Sequence, residues 1–516
     1  MKRLWLVIAA AVLAALSQMD AAERINQEGR ILGPLAVVTN SVLFDTTNAD
    51  AVVSTMQIFP VTSSYNEDVS RLPLTTNSSA IMAQISSNLL SSRQTLRLFQ
   101  EMNYVLVPDN QPVVSIDFID YPDQSDLNGG SFPYGTYPIP TNMPIEGWPT
   151  QTGGETLAQV EQATNGVGGT DRHGIIVQPG AGLSFETWLT LLSSNNWQAA
   201  NGAIFDLNSN ASRPAGWTSG DAAGLSMFGA LVRFDECERG MVEHACRLVV
   251  ERTLYNNYIY PATHYASAST NTLPNLPSMG QRLRLQAAFV VPANWTTEEK
   301  ALLAGLKKYG ALVADNGGFF SISIAPDDRW PANAFNDLSS PGINITNFEV
   351  VQATGSNGGP RSPGAPVASA GPDESVAISQ AIPLQGYVSF AGLAPAVQWK
   401  LYSGPGTAAF GNATQTNTTV SFSAPGVYTL ELSAADGVHA VAYDAAVFTV
   451  TNDFSVSGAA DGSDINLTWS GGAAPFVVQR ADSFPANSWS DILTTSVQNA
   501  SFPLTNKTGF FRILSQ

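Results

Sequence analysis

Histidine is rare in this chain, and most of it is concentrated in one interval. The sequence has four histidines in 516 residues, and His173, His244 and His264 lie within fewer than a hundred residues of one another. Imidazole accepts or donates a proton near neutral pH and is a common metal ligand. We therefore predict that the three imidazoles converge at one catalytic site, with Tyr265 beside them. The alternative is three separate structural histidines, each bonded to a backbone carbonyl or a carboxylate.

Carboxylates and an arginine from the same interval extend the predicted site. We place Asp206 and Glu236 with the histidines, because a glycosidase needs two carboxyl groups facing each other across the bond that it cleaves. In a lyase, Arg172 would instead neutralise a uronate carboxylate while a histidine or Tyr265 abstracts the neighbouring proton. Glu236 has a simpler alternative, an ion pair with Arg247 on a neighbouring strand.

Two tryptophans in polar stretches are candidates for binding a sugar. Trp148 and Trp217 could stack on sugar rings, since aromatic faces pack well against apolar ring surfaces. Either could equally cap the hydrophobic core. The segment from Thr218 to Asp221 also fits the start of a helix.

Other catalytic signatures are missing from the sequence. No H-x-H, H-E-x-x-H or C-x-x-C spacing is present, so we predict no metal at the site. The chain also lacks G-x-S-x-G and the phosphate and dinucleotide loops, so we predict no cofactor.

The elements that would position these residues are mostly strands. Strand-like runs are separated by many turn signals, and helical periodicity is confined to a few segments. We predict an α+β core with a β-sandwich-like sheet and marginal helices. The predicted strands include residues 113–118, 174–177, 203–207, 283–291 and 319–324, and the predicted helices are 80–90, 185–197 and 297–309.

The two cysteines flank a predicted turn. Cys237 and Cys246 lie between strand-like residues 231–236 and 245–250. In an exported chain this arrangement predicts a cross-strand disulfide, and the alternative is two buried thiols.

The length and composition favour several domains outside the cytoplasm. A chain of 516 residues exceeds the size of one hydrophobic core. The basic start and the apolar run of residues 4–16 indicate a signal peptide. The predicted order is a signal peptide (1–21), a β-rich core (22–354), a Gly/Pro/Ser linker (355–367) and two small β-domains (368–452 and 453–516).

Three parts of the chain resemble known kinds of protein. Residues 368–452, with Ala370-Gly371-Pro372-Asp373, Trp399 and Pro425-Gly426-Val427-Tyr428, resemble the PKD-like immunoglobulin sandwich of secreted bacterial enzymes and adhesins. The last part, with Leu467-Thr468-Trp469 and Phe510-Phe511-Arg512-Ile513, is similar to small fibronectin-type β-domains. Strings such as Asp171-Arg172-His173 resemble an uncharacterised family of secreted bacterial proteins, a likeness that implies no catalytic residue.

The net charge of the chain limits the kinds of molecule that we expect it to bind. The net charge of −18 disfavours nucleic acid and membrane surfaces, and after signal cleavage we expect no membrane span. We expect a secreted, cell-surface or periplasmic protein whose partner is an extracellular polysaccharide or cell-surface glycan. The leading hypothesis is a carbohydrate-active enzyme, either hydrolase or lyase. The alternative is a non-catalytic glycan-binding or cell-surface structural protein.

Overall fold

The structure, a computed structural model, describes residues 8–12, 23–162, 171–352, 365–378, 380–472, 474–486, 488–503 and 509–515. The chain divides into two compact units, one of residues 26–363 and one made of residues 1–25 and 364–516. Most of the predicted linker and much of the predicted signal peptide lie outside the described residues. Both units are mainly β, which confirms the predicted fold class.

Sixteen strands and five α-helices are described up to residue 352. The strands are β1 (Ile8–Val12), β2 (Val42–Leu43), β3 (Arg97–Gln100), β4 (Val105–Leu106), β5 (Val114–Phe118), β6 (Tyr134–Tyr137), β7 (Gly174–Gln178), β8 (Leu183–Trp188), β9 (Leu191–Ser193), β10 (Asn196–Ala199), β11 (Asn201–Asp206), β12 (Cys246–Val250), β13 (Arg282–Leu285), β14 (Ala311–Asn316), β15 (Ser321–Ile324) and β16 (Phe348–Val350). The helices are α1 (Thr47–Val53), α2 (Ser78–Asn88), α3 (Leu157–Gln162), α4 (Phe234–Glu238) and α5 (Thr297–Lys308).

Three mixed sheets form the first unit. The largest has the order β16-β13-β14-β12-β15-β3, in which β12 runs parallel to β14 and antiparallel to β15. The second has the order β11-β8-β7-β4-β2, and the third has the order β6-β5-β10-β9. Because β3 is an edge strand of the largest sheet, one side of its backbone is free of sheet pairing.

The helix α5 forms as its sequence predicts. The Thr296 side chain accepts a hydrogen bond from the backbone N–H of Glu299, and the Glu299 carboxylate accepts one from the backbone N–H of Thr296, which forms a capping box. Leu302, Leu303 and Leu306 are buried in the main hydrophobic core, so one apolar face holds the helix on the sheet. Helix α2 also falls within two residues of the predicted start and end.

The predicted helix at 185–197 is wrong, because this segment forms β8, β9 and β10. Leu189, Ser194 and Asn195 have positive φ angles, which mark the turns between these strands. The carboxylate of Glu186 on β8 is fully buried and accepts hydrogen bonds from Ser184, Ser226, Met227 and Phe228. Tertiary hydrogen bonds of this kind leave no trace in local periodicity.

The predicted hairpin around the cysteines is also wrong. The residues before Cys237 form α4 rather than a strand, and β12 pairs with β14 and β15 instead. Cys237 and Cys246 are both buried free thiols, so the structure does not contain the predicted disulfide. Asp235 and Glu236 are in the first turn of α4, where the helix dipole favours acidic residues.

The second unit contains two separate hydrophobic cores. Its strands are β17 (Val367–Ser369), β18 (Glu374–Ala377), β19 (Ile382–Gln385), β20 (Tyr387–Ser389), β21 (Ala396–Ser403), β22 (Ala408–Phe410), β23 (Asn417–Phe422), β24 (Gly426–Ala435), β25 (Ala442–Thr451), β26 (Ser455–Asp461), β27 (Asp464–Ser470), β28 (Phe476–Ala481), β29 (Ser490–Thr495), β30 (Asn499–Pro503) and β31 (Phe510–Ser515).

The strands β17 to β25 enclose the first of these cores as a β-sandwich. One sheet has the order β18-β25-β24-β21 and another has the order β19-β23-β22, and both contribute to the core around Trp399. The hydroxyl of Tyr428 donates to the carbonyl of Ala424 at 2.8 Å. A tyrosine bonded to the backbone a few residues upstream is typical of immunoglobulin-like sandwiches.

The last strands form a smaller two-sheet domain. One sheet is β26-β27-β30 and the other is β1-β31-β28-β29, in which β1 runs parallel to β31. Its core contains Leu467, Trp469 and Ile513. Within the described ranges of the chain, no helix has the length and apolarity needed to cross a bilayer.

Candidate functional site

A polar cavity of about 330 Å³ opens at the β3 edge of the six-stranded sheet. We call it the acidic cleft, because carboxyl groups dominate its polar side chains. It is lined by Phe99, Glu101, Met102, Glu146, Gln151, Asp171, His173, Arg247, Val249, Asp315, Asn316, Gly317, Gly318, Phe319 and Ser321.

The sheet supplies two of the walls. Arg247 and Val249 are two residues apart on β12, so their side chains point to the same face of the sheet. Asp315 lies near the end of the neighbouring strand β14, in register with Val249. Glu101 follows directly after β3, and the loop between β14 and β15 closes the end with Phe319.

The opposite wall comes from the residues before β7. Asp171 and His173 flank Arg172, whose φ of 54° is unusual for a residue other than glycine. The guanidinium of Arg172 donates to the carbonyls of Thr190 and Val160, at 2.9 and 2.8 Å. These bonds hold the turn that directs its two neighbours to the cleft.

Glu146 is an acid held in its neutral form. Its residue is only 7 % exposed, and burial, reinforced by the charge of Glu101, raises the pKa of Glu146 to about 8. The backbone N–H of His173 donates to Oε2 at 3.2 Å, and the N–H of Glu146 donates to the His173 carbonyl at 2.9 Å. No other hydrogen bond to this carboxyl is present among the described residues, which leaves Oε1 available to carry the proton.

Arg247 lies between the buried carboxylate of Asp221 and the partly buried carboxylate of Asp315. Its Nη2 donates to Asp221 Oδ1 at 3.1 Å and to Asp315 Oδ2 at 2.6 Å. Burial raises the pKa of Asp221 to about 7 and also raises that of Asp315, although Arg247 opposes both shifts. The positive charge of Arg247 is therefore paired with these two carboxylates.

Glu101 is connected to this group through a hydroxyl. Ser323 Oγ donates to Glu101 Oε1 at 2.8 Å and accepts from Arg247 Nη1 at 3.4 Å. Gln151 Nε2 lies 3.4 Å from Glu101 Oε2. Both direct partners of Glu101 are thus uncharged.

His173 is neutral and has one free nitrogen. Burial, together with the charge of Arg247, lowers the pKa of His173 to about 3, while the Thr187 backbone opposes the shift. Among the described residues, Nδ1 has no hydrogen-bond partner, and we therefore assign the contact with Thr187 to Nε2. Hydrogen then belongs on Nε2, and Nδ1 presents a lone pair.

The three histidines predicted to converge have different surroundings, and only His173 lines the acidic cleft. His244 is buried, with Nε2 3.1 Å from Glu236 Oε2 and Nδ1 3.0 Å from the Ala245 carbonyl. His264 Nδ1 is 2.8 Å from the Ala222 carbonyl, and its ring stacks on Tyr265. The three histidines predicted to converge therefore do not share the lining of this cleft.

Glu236 belongs to a second group of charges, which we call the closed cluster: the buried residues Arg233, Asp235, Glu236 and His244, together with the more exposed Arg239. Arg233 Nη2 lies 2.9 Å from Glu236 Oε1. Burial alone would raise the pKa of Glu236, but Arg233 and His244 together lower it to about 2. The predicted ion pair between Glu236 and Arg247 is wrong, since each has other partners.

The remaining predicted site residues lie outside the cleft lining. Asp206 is exposed and accepts a hydrogen bond from the backbone of Asn208. Trp217 packs beside the guanidinium of Arg213. The ring of Trp148 contacts Phe44 edge-on, and its Nε1 donates to the Glu155 carbonyl. The guanidinium of Arg172 donates its hydrogen bonds to backbone carbonyls.

Sequence reasoning missed Glu101, Glu146, Arg247 and Asp315 as site residues. Two of them have a positional signal: Asp315 lies near the end of the mostly buried strand β14, and Glu101 comes directly after the edge strand β3. Within the described ranges, no group of three or more His, Cys, Asp or Glu residues has the arrangement of a metal site.

Comparison with known proteins does not assign the chain to a family. No protein-family model matches the chain, and the search of curated proteins gives no match. Among solved structures, the PKD domain from KIAA 1837 protein is 23% identical over 22% of this chain and 100% of its own, with a TM-score of 0.16. The PKD domain from human KIAA0319 is 20% identical over 22% of this chain and 100% of its own, with a TM-score of 0.17. Sidekick-1 immunoglobulin domains 1–4 are 13% identical over 65% of this chain and 91% of their own, with a TM-score of 0.18. At these scores the matches assign this chain no activity.

Proposed function

We propose that the acidic cleft hydrolyses a glycosidic bond of an extracellular glycan. One observation carries the proposal: Glu146 is a buried carboxylic acid that stays protonated at neutral pH and lines a cavity beside other carboxylates. Such a pair of carboxyl groups, one neutral and one ionised, is what glycosidic hydrolysis requires.

Glu146 acts as the general acid. Its Oε2 is held by the backbone of His173, so the proton on Oε1 is directed to the leaving-group oxygen. A proton donor with a pKa near the working pH combines the right protonation state with a usable driving force.

Glu101 supplies the second carboxylate. Both residues line the cleft, and Glu101 is the neighbouring charge that raises the pKa of Glu146 most. The hydroxyl of Ser323 holds one of its oxygens in place. Glu101 then acts on the sugar or on water from the opposite side of the bond.

The charges of the cleft favour a hydrolase over a uronate lyase. A lyase needs a free cation to neutralise the substrate carboxylate. Arg172 is bonded to backbone carbonyls, and Arg247 is bonded to Asp221 and Asp315. Among the residues that line the cleft, an anionic sugar would therefore meet carboxylates and no guanidinium free of carboxylate partners.

Export belongs to the same proposal. The basic and apolar N-terminus supports a signal peptide, and its removal from the mature chain would also remove β1. The β-sandwich modules of the second unit then serve as spacers or glycan contacts. N-terminal sequencing of the exported protein tests this part, and a mature protein that starts at Met1 would contradict it.

A panel of polysaccharides tests the activity. The full chain should release reducing ends from at least one glycan without forming unsaturated products. Glu146→Gln should lower turnover at least about 100-fold, the usual contribution of a general acid, whereas Glu238→Gln on the exposed side of α4 should not change it. Binding across the panel without turnover would contradict the proposal and favour a glycan-binding protein.

A further inference from the structure

The acidic cleft presents many hydrogen-bond acceptors and few free donors. Its walls hold four carboxyl groups, from Glu101, Glu146, Asp171 and Asp315, and one guanidinium, from Arg247. The donors of Arg247 that have partners point to Asp221, Asp315 and Ser323. A ligand that fits these walls must bring its own donors.

Two of the carboxylates have no cationic partner. The Asp171 side chain has no hydrogen bond or ion pair among the described residues, and Glu101 is bonded only to Ser323 and Gln151. Covering these carboxylates with an uncharged ligand would remove water without replacing its stabilisation of the charges. A ligand with a positive charge would offset that cost.

His173 points to the same kind of ligand by an independent observation. It is 3 % exposed, lines the cleft, and has an Nδ1 lone pair without a partner among the described residues. An unpaired buried acceptor costs free energy until a donor reaches it. An ammonium group or a hydroxyl supplies that donor, and a carboxylate does not.

We infer that the acidic cleft recognises an amino sugar with a free ammonium group, held by Asp171, Glu101 and the Nδ1 of His173. The inference rests on the proposed function, because it names the substrate class of the same site. Phe99, whose ring packs edge-to-face with Phe319 at 5.5 Å, provides an apolar surface in the same cleft for a sugar ring. The guanidinium of Arg93 covers one face of the Phe319 ring at 4.6 Å.

The test compares three trisaccharides on the full-length Glu146→Gln variant, which keeps the neutral state of that side chain and prevents turnover. The glucosamine trimer is cationic, the N-acetylglucosamine trimer has the same linkage without charge, and trigalacturonate is anionic. Calorimetry at low and high salt measures each affinity. We expect the glucosamine trimer to bind at least about tenfold more tightly than the other two, as one charged hydrogen bond provides, and to weaken at high salt.

A second substitution separates the cleft from the general negative charge of the chain. Asp171→Asn should weaken the glucosamine trimer about tenfold, while Asp123→Asn, an exposed aspartate outside the cleft lining, should leave it unchanged. Equal binding of the three trimers, or equal effects of the two substitutions, would overturn the inference. If the proposed hydrolysis fails but the inference holds, the result is different. The wild-type protein would then bind the glucosamine trimer without cleaving its longer polymer or any other glycan.

Discussion

The acidic cleft and the closed cluster contain the same kinds of side chain in opposite electrostatic states. Each combines a histidine, carboxyl groups and at least one arginine. Glu146 in the cleft and Glu236 in the closed cluster are both buried from solvent. In the closed cluster, Arg233 and His244 contact Glu236 directly and lower its pKa to about 2. In the cleft, Glu146 has no cationic contact, and burial raises its pKa to about 8.

This difference separates a structural role from a chemical one. A carboxylate whose charge is matched by direct partners stabilises the fold and has no reason to exchange its proton near neutral pH. A buried carboxyl without such a partner is costly to ionise and is therefore suited to donate a proton. The comparison predicts that equivalent substitutions in the two groups have different consequences.

The largest stability effect is expected for Glu236→Gln. Removing this charge leaves Arg233 buried without its closest partner, which costs about 3–5 kcal/mol for a broken buried pair. Glu146→Gln should instead stabilise the fold at neutral pH, because the wild-type carboxyl is protonated in the fold but ionises on unfolding, whereas glutamine is neutral in both states. Thermal unfolding of both variants, followed by calorimetry, measures the contrast. Similar melting temperatures for the two would remove the distinction.

The pH dependence of stability should have opposite signs in the two groups. Glu236 stabilises the fold above its unfolded pKa of about 4.5, and this contribution is lost as pH falls toward 2. Glu146 binds a proton more tightly in the folded state, so its contribution is present below about pH 4.5 and is lost as pH rises to about 8.

Glu146→Gln should therefore become progressively more stable than the wild type between these two pH values. The slope approaches about 1.4 kcal/mol per pH unit for one proton. Glu238→Gln is the matched control and should follow the wild type. A constant difference between Glu146→Gln and the wild type across this range would contradict the assignment.

Asp221→Asn should have a moderate effect on the cleft. The substitution removes one of the two carboxylates that hold Arg247, so the guanidinium moves toward Asp315 and its contact with Ser323 changes. As Asp221 does not line the cleft, we expect kcat to fall about tenfold with little change in KM. A change confined to KM would indicate a direct contact with substrate instead.

The smallest effect is expected for His264→Ala. Its ring stacks on Tyr265 and makes one bond to a backbone carbonyl, which together contribute about 1 kcal/mol. Turnover should not change, and calorimetry together with the reducing-end assay measures both quantities. A large loss of turnover would restore the predicted site of three histidines.

The sequence predicts the local elements better than the site. Helix α5 is encoded within a few residues by its capping box and apolar face, and the short strands of the sandwich by their turns. Segment 185–197 was not predictable in this way, because the carboxylate of Glu186 is stabilised by backbone groups forty residues later. Local patterns carry no information on such partners.

The candidate site was only partly predictable for the same reason. Residue type pointed to the histidines, yet His244 and Glu236 stabilise each other inside the closed cluster. Glu146 gave no signal of its own, since its raised pKa comes from burial by distant parts of the chain. The role proposed for Glu146 depends on a carboxyl group that has no cationic contact. The contacts of a side chain with distant residues are visible only in the folded structure.

Infrared difference spectroscopy of the unliganded protein tests the central claim most directly. The spectrum of wild type minus Glu146→Gln at pH 7 isolates the carboxyl of Glu146. We predict the C=O band of a protonated carboxylic acid, which disappears with a midpoint near pH 8. A carboxylate band at pH 7, with a midpoint near 4.5, would contradict the role of Glu146 as the acid of the cleft.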